Sequence, residues 1–220
     1  MWELDHGFIC TAVDAPAGDR LVEFGLREGS RNRHPGQGTA NRRFFFHNFM
    51  LELLWVCDRA EAQSPLTQPT HLWERGSGQY DACPFGVCLR PTRQPPAPPL
   101  FPHWLYQPPY LPPHLSIAVG TNAAQMSEPM VFSLAFAQRQ DQYPRDRAEP
   151  LDHPAGLREV TRLTLTHPNP SPPSAALRAL VEAGLLHCQS GPYCLELGFD
   201  GEIQGRSHDF QPDLPLRFVW

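Results

Sequence analysis

A short strand pattern occurs twice in this chain, and an internal repeat of that size constrains the architecture more than any single residue does. Each copy has an alternating opening strand and, after a connecting stretch, a strand that contains LEL. The segments are residues 4–13 (LDHGFICTAV) with 44–56 (FFFHNFMLELLWV), and residues 160–167 (VTRLTLTH) with 193–200 (YCLELGFD). Glu52 and Glu196 are then equivalent. The repeat predicts two copies of one supersecondary unit placed around a shared cavity.

Composition excludes several classes of function. The 220 residues carry a formal net charge of −5, so there is no electrostatic case for a nucleic-acid partner or an anionic membrane. All 18 basic residues are arginine, which excludes a Walker-type phosphate loop, a pyridoxal Schiff base and a catalytic lysine. No apolar run approaches a membrane span, and the acidic N-terminus lacks a signal-peptide hydrophobic region. We expect a cytoplasmic monomer or homodimer whose six cysteines, without a C-x-x-C pair, are free thiols.

The predicted elements fit one domain, residues 1–220, of three parts. The first module covers residues 1–90, a proline-rich insert with extra strands covers 91–155, and the second module covers 156–220. The clearest helix spans residues 175–183, because Ser171 or Ser174 can cap its start and Gly184 follows its end.

The insert is richest in proline between residues 91 and 113. Dense proline is typical of a spacer in extended polyproline geometry. Four aromatic residues are interleaved with these prolines, namely Phe101, Trp104, Tyr106 and Tyr110. Because a free linker has no need of large aromatic side chains, we expect the insert to be fixed against the body and to form the roof of the cavity.

One strand, a helix and several further strands follow one another twice along this chain. This order of elements resembles that of the vicinal oxygen chelate superfamily. The segments 4–9 (LDHGFI) with 49–54 (FMLELL), and 160–165 (VTRLTL) with 193–197 (YCLEL), carry the resemblance. The segments 33–42 (RHPGQGTANR) and 84–91 (PFGVCLRP) are similar to its glyoxalase-like branch. The resemblance implies an α+β fold. In it, two βαβββ modules form a pseudo-twofold curved mixed sheet around one cavity, with the irregular proline-rich insert between them.

The resemblance also implies a set of metal ligands. His6 and Glu52 match the ligand positions of the first module, and Glu196 matches one position of the second. One imidazole and two carboxylates suit Mn²⁺, Fe²⁺, Zn²⁺ or Ni²⁺, with open positions for a substrate that has vicinal oxygens. The metal would act as a Lewis acid in a lyase or isomerase reaction while Glu52 or Glu196 moves a proton.

The fourth position of the set holds Arg162, which leaves an alternative open. Arginine is always charged and cannot bind a metal, so Arg162 inside the cavity would pair with Glu52 or Glu196. The protein could then be a metal-free small-molecule binding or sequestering protein that uses Arg162 as an anion anchor. Asn41 and Arg42 could orient the substrate or could serve only the loop backbone.

Overall fold

The computed structural model describes residues 1–168 and 172–220 and arranges their strands in two separate mixed sheets. The eight-stranded sheet contains β1 (Trp2–Cys10), β2 (Asn32–His34), β3 (Thr39–Phe45), β4 (Met50–Val56), β5 (Phe85–Pro91), β6 (His103–Tyr106), β7 (Ile117–Gly120) and β8 (Met130–Ser133). The five-stranded sheet contains β9 (Val160–His167), β10 (His187–Ser190), β11 (Cys194–Phe199), β12 (Ser207–Asp209) and β13 (Leu216–Val219). The predicted α+β class with curved mixed sheets is confirmed.

Four α-helices are present among the described residues. They are α1 (Gly18–Phe24), α2 (Arg59–Ala62), α3 (Leu72–Gly76) and α4 (Ala175–Glu182). The hydroxyl of Ser174 caps α4 by accepting from the Leu177 amide, as expected from the sequence, and Ser171 lies outside the described residues. None of the helices in residues 1–168 and 172–220 is long and apolar enough to cross a bilayer.

The eight-stranded sheet has an internal repeat of its own. Its order is β2-β3-β4-β1-β5-β8-β7-β6. Read from the centre outwards, one half is β1-β4-β3-β2 and the other is β5-β8-β7-β6, so both halves place their four strands in the order first, fourth, third, second. β1 is parallel to β4 and β5 is parallel to β8, while β1 and β5 meet as an antiparallel pair. Gly7 faces Val87 at the centre of that pair, with His6 opposite Cys88 and Phe8 opposite Gly86. A local twofold therefore relates residues 2–56 to residues 85–133.

This pairing differs from the predicted repeat. The strands of residues 160–219 form the five-stranded sheet, in the order β10-β9-β11-β13-β12, and do not extend the eight-stranded one. The second half of the eight-stranded sheet comes from residues 85–133, part of which the sequence assigned to the insert. Hence the two LEL strands lie in different sheets.

The two sheets pack against each other through alternate residues of their strands. Ile9, Leu51 and Leu53 of the eight-stranded sheet share one apolar core with Leu195 and Leu197 of the five-stranded sheet. The intervening residues of each strand must point away from this core, since side chains alternate between the two faces. His6 and Glu52 therefore belong to the outer face of the eight-stranded sheet, and Glu196 belongs to the outer face of the five-stranded sheet.

The proline-rich segment is held against the protein, as expected from its aromatic residues. The indole nitrogen of Trp2 donates to the carbonyl of Pro98 at 2.8 Å. Phe101 and Tyr106 are buried, and the Tyr106 hydroxyl lies 3.2 Å from that of Thr67. The segment also supplies β6, which pairs with β7. It is thus an integral part of the eight-stranded sheet.

Candidate functional site

A cavity of about 180 Å³, here called the inner cavity, lies on the outer face of the eight-stranded sheet. One side of it is polar and is formed by His6, His34, Gln37, Asn41, Arg43 and Glu52. The rest of its wall is mainly apolar and includes Phe8, Met50, Leu54, Tyr110, Met130 and Phe132. The proline-rich segment contributes Tyr106, Tyr110 and Leu111 to this wall, so it does roof the cavity.

His6 is held by its chain neighbour. The pairing of β1 with β5 shifts register between Leu4 and His6, an irregularity of the kind that lets adjacent side chains share a face. Asp5 Oδ2 lies 2.6 Å from His6 Nδ1, and Asp5 Oδ1 accepts from the Arg90 guanidinium at 3.2 Å. The hydrogen of the imidazole is thereby assigned to Nδ1, where the carboxylate accepts it. His6 Nε2 then faces Glu52 Oε2 across 3.9 Å.

Glu52 is fixed by an amide on the neighbouring strand. The Asn41 Nδ2 group donates to Glu52 Oε1 at 2.6 Å, and Asn41 Oδ1 accepts from the Asn32 amide at 2.8 Å. The second bond sets the orientation of the Asn41 side chain, because only its oxygen can accept. Glu52 Oε2 keeps its lone pairs for the cavity. Asn41, one of the predicted substrate-binding residues, thus lines the cavity and positions Glu52.

The RHPGQGTANR segment forms the hairpin of β2 and β3 and also supports the roof. Gly36 and Gly38 have φ values of 81° and 76°, and a Cβ at Gly38 would lie 2.2 Å from the Asp58 carbonyl oxygen. The turn therefore requires glycine there. The His34 ring packs 4.8 Å from that of Tyr110, and the Tyr110 hydroxyl donates to Gln37 Oε1 at 3.3 Å.

Burial in the inner cavity affects the titratable groups of this roof. Desolvation lowers the pKa of His34, despite the opposing charge of nearby Glu52, so the imidazole favours its neutral form. Desolvation also raises the pKa of Tyr110, which keeps its hydroxyl protonated and able to donate. The roof contact is therefore a neutral one.

The second half of the eight-stranded sheet contributes no polar counterpart to His6 and Glu52. By the local twofold, His6 corresponds to Gly86 and Glu52 corresponds to Phe132. A Cβ on Gly86 would lie 2.0 Å from Phe8 Cε1, so the Phe8 ring occupies that space. The Phe132 ring meets the His6 ring edge to face at 5.2 Å between centroids. The polar pair thus faces an aromatic wall.

The donors in the inner cavity fit the implied metal poorly. A catalytic metal site commonly has three protein ligands, and His6 Nε2 and Glu52 Oε2 would supply two of them. Within the described ranges, only Asp5, His6 and Cys88 form a group of three with ligand atoms within 4.8 Å of one another. Asp5 already accepts from Arg90 and His6, and burial raises the pKa of Cys88, so its thiol stays protonated. Among the described residues, these donors therefore do not make up the ligand set of a catalytic metal.

Glu196 and Arg162, both predicted site residues, do not line the inner cavity. Arg162 Nη2 lies 2.8 Å from Glu196 Oε1, and its Nε donates to Glu202 Oε1 at 2.6 Å. Hydrogen bonds to Glu202 and Glu196 raise the pKa of Arg162 further. The Arg217 guanidinium lies 3.5 Å from Glu196 Oε2. The expected pairing of Arg162 with a glutamate is present, but on the five-stranded sheet.

Arg42, the remaining predicted substrate-binding residue, is buried elsewhere. Its guanidinium donates to the Ala15 carbonyl at 3.0 Å and to Glu28 at 2.6 Å, and lies 2.9 Å from Asp19 in α1. These contacts tie the chain around α1 to β3. Its neighbour Arg43, which the sequence did not single out, is the arginine that borders the inner cavity.

Comparisons with known proteins show a similarity of fold. No protein-family model matches the chain, and no curated protein matches it either. Forty chains of solved structures match. One is a hypothetical protein from Staphylococcus aureus, which is 9% identical and superposes with a TM-score of 0.59 over 99% of this chain and 98% of its own. The likeness at this identity is one of fold alone.

Proposed function

We propose that the chain is a glyoxalase-like protein of the vicinal oxygen chelate superfamily that binds a small oxygenated molecule and moves a proton on it. One observation carries the proposal. His6 and Glu52 are both buried, face each other at 3.9 Å in a largely apolar cavity, and are each held from behind, by Asp5 and Asn41. Two titratable groups preorganised in this way are typical of an acid–base site.

The chemistry suits an α-hydroxy carbonyl compound. Glu52 Oε2 removes the proton from the carbon that bears the hydroxyl group, so the C–H bond breaks and an O–H bond forms on Glu52. The electron pair moves into an enediolate, whose oxygen accepts a hydrogen bond from His6 when Nε2 carries a proton. Glu52 then returns its proton to the neighbouring carbon, and His6 moves a proton between the two oxygens. The product is an isomer, so atoms and electrons balance.

The aromatic wall restricts the molecule that can bind. Phe8 and Phe132 occupy the positions from which a second pair of polar groups would reach the ligand. A ligand can therefore meet hydrogen-bonding groups along one edge only, while its opposite face lies against the rings. A small, largely apolar molecule with its two oxygens on one edge fits this arrangement.

The test is proton exchange catalysed in deuterium oxide. Hydroxyacetone and 2-hydroxyacetophenone, incubated with the protein, should lose the α-proton signal in NMR spectra faster than in buffer. Glu52→Gln should slow exchange by a factor of about 100 or more, since a positioned general base contributes about that much. The matched control is Glu196→Gln, whose site lies on the other sheet and which should keep the wild-type rate. If the α-proton exchanges no faster with the wild-type protein than in buffer alone, the proposal is refuted.

Metal involvement is tested on the same protein. We propose that exchange survives treatment with a chelator, and that Mn²⁺, Fe²⁺, Zn²⁺ and Ni²⁺ bind below stoichiometry after dialysis. If the wild type binds one metal ion per chain and His6→Ala does not, the metal-free site is contradicted, and His6 and Glu52 are metal ligands instead.

A second candidate is a binding or sequestering protein of the same fold. The apolar character of most of the lining favours it, because such a cavity can retain a ligand without chemistry. Arg162 has no part in this version, since its guanidinium is committed to Glu196 and Glu202. Ligand-induced stabilisation without any proton exchange would select this candidate.

A further inference from the structure

A second depression, here called the outer groove, continues the inner cavity. It has a volume of about 430 Å³ and is more open than the inner cavity. The two share five lining residues, which are His6, Arg43, Met50, Leu134 and Phe136. A molecule seated beside His6 and Glu52 can therefore extend into the outer groove.

The floor of the outer groove is apolar. Phe45, Leu134 and Tyr143 line it, and so does Phe136, which stands at the junction with the inner cavity. Phe136 is 39% exposed, although a large aromatic side chain gains by burial. A ligand that passes from the inner cavity into the outer groove would cover the exposed part of the Phe136 ring.

Among the described residues that line the outer groove, one cation has no carboxylate partner. Asp5 is bound to His6 and Arg90, and Glu149 accepts from the Ser30 amide at 3.0 Å and lies 3.7 Å from Arg43. Arg147 stacks on the Tyr143 ring at 5.4 Å, and within residues 1–168 and 172–220 it has no carboxylate within 4.0 Å. Arg147 is thus placed to receive an anion from a ligand.

We infer that the inner cavity and the outer groove hold a single elongated ligand with an anionic end. Its oxygen-bearing head lies beside His6 and Glu52, its apolar chain crosses Phe136, and its terminal carboxylate or phosphate pairs with Arg147. The inference rests on the proposed function, because the head occupies the same inner cavity. It adds the substrate class, an anionic amphipathic molecule.

The test uses a probe series whose parts report on the two compartments separately. Hydroxyacetone, which is short and neutral, reports on the inner cavity alone, and longer α-hydroxyketones that end in a carboxylate, with their primary amides, report on the outer groove. Binding is measured by calorimetry at low salt. We expect affinity to rise with chain length to an optimum, where the carboxylate binds about threefold more tightly than its amide, as for an exposed ion pair. Arg147→Ala should abolish this preference, and Arg145→Ala, an exposed neighbour that does not line the outer groove, should retain it.

Each outcome is decisive. If hydroxyacetone binds but longer chains gain no affinity, the elongated ligand is refuted while the inner cavity keeps its proposed role. If affinity rises with length but acids and amides bind equally, or the preference survives Arg147→Ala, the anionic anchor is refuted. If no member of the series binds, both the further inference and ligand binding in the inner cavity fail.

Discussion

The support that Asn41 gives to Glu52 predicts a pH-dependent loss of stability in Asn41→Asp. The substitution keeps the side-chain shape and the oxygen that accepts from the Asn32 amide, but it replaces the amide that donates to Glu52 by a carboxyl group. With a proton, the new carboxyl can donate to Glu52 as Asn41 does. Without that proton, two carboxylates would face each other at the 2.6 Å now spanned by the hydrogen bond.

The magnitude follows from that contact. At an effective dielectric constant of about 20, two charges at this distance repel by about 6 kcal/mol. The folded variant therefore retains one proton that an unfolded aspartate, with a pKa of about 3.9, releases. Since the pKa of the new carboxyl is raised in the folded state, its contribution to stability is full below the unfolded pKa and declines as the pH rises towards the folded pKa. The free energy of unfolding should fall, relative to wild type, by about 1.4 kcal/mol for each pH unit above about pH 4.

The assay is urea unfolding of wild type, Asn41→Asp and Asn41→Ala between about pH 5 and about pH 8. Subtracting the wild-type values removes the titration of every other group. Asn41→Ala should be less stable by about 2 kcal/mol at every pH, because it removes the hydrogen bonds with Glu52 and with the Asn32 amide and adds no titratable group. A constant difference between Asn41→Asp and wild type over this range would refute the contact between Asn41 and Glu52.

Two further predictions concern other parts of the fold. Gly86→Ala should lower the free energy of unfolding by about 1–3 kcal/mol, because the added Cβ would lie 2.0 Å from Phe8 Cε1. Phe8→Leu in the same chain should recover part of this loss. If the effects of the two substitutions on the free energy of unfolding simply add, this packing is contradicted. His153 accepts from the Arg27 amide at 3.0 Å and donates to the Phe45 carbonyl at 2.9 Å, and burial lowers its pKa. Its folded pKa lies below the unfolded value of about 6.5, so the stability of the wild type should decrease as the pH falls below that value, and calorimetry of His153→Gln should show a weaker decrease.

Much of the first half of the fold was predictable from the sequence. The alternation of residues 4–13 and the LEL strand indicated two neighbouring strands, and β1 and β4 do pair with Phe8 opposite Glu52. The aromatic residues among the prolines indicated a fixed segment, and Tyr106 and Tyr110 do line the inner cavity. These predictions were correct because the spacing of apolar residues along a segment directly reflects which of its faces is buried.

The second half could not be predicted in the same way. A strand with one face in a core and one outside often reads as apolar–charged–apolar, so the LEL of β11 resembles that of β4 although it lies in the other sheet. The segment that does pair as the second half has Gly86 and Phe132 where the first has His6 and Glu52, so its sequence no longer shows the relationship. Asp5 was missed as the partner of His6, because strict alternation places neighbouring residues on opposite faces and the irregularity in β1 cannot be read from the pattern.

The aromatic wall beside the polar pair divides the eight-stranded sheet into two parts that can change independently. Residues 2–56 hold the groups that would carry out chemistry, and residues 85–133 supply the shape against which a ligand rests. Substitutions at Met130 or Phe132 would then alter which molecules are accepted without displacing Asp5 or Asn41. Laboratory evolution confined to the second half should yield variants with new ligand preferences and an unchanged reaction, so this half is the natural place for a focused library.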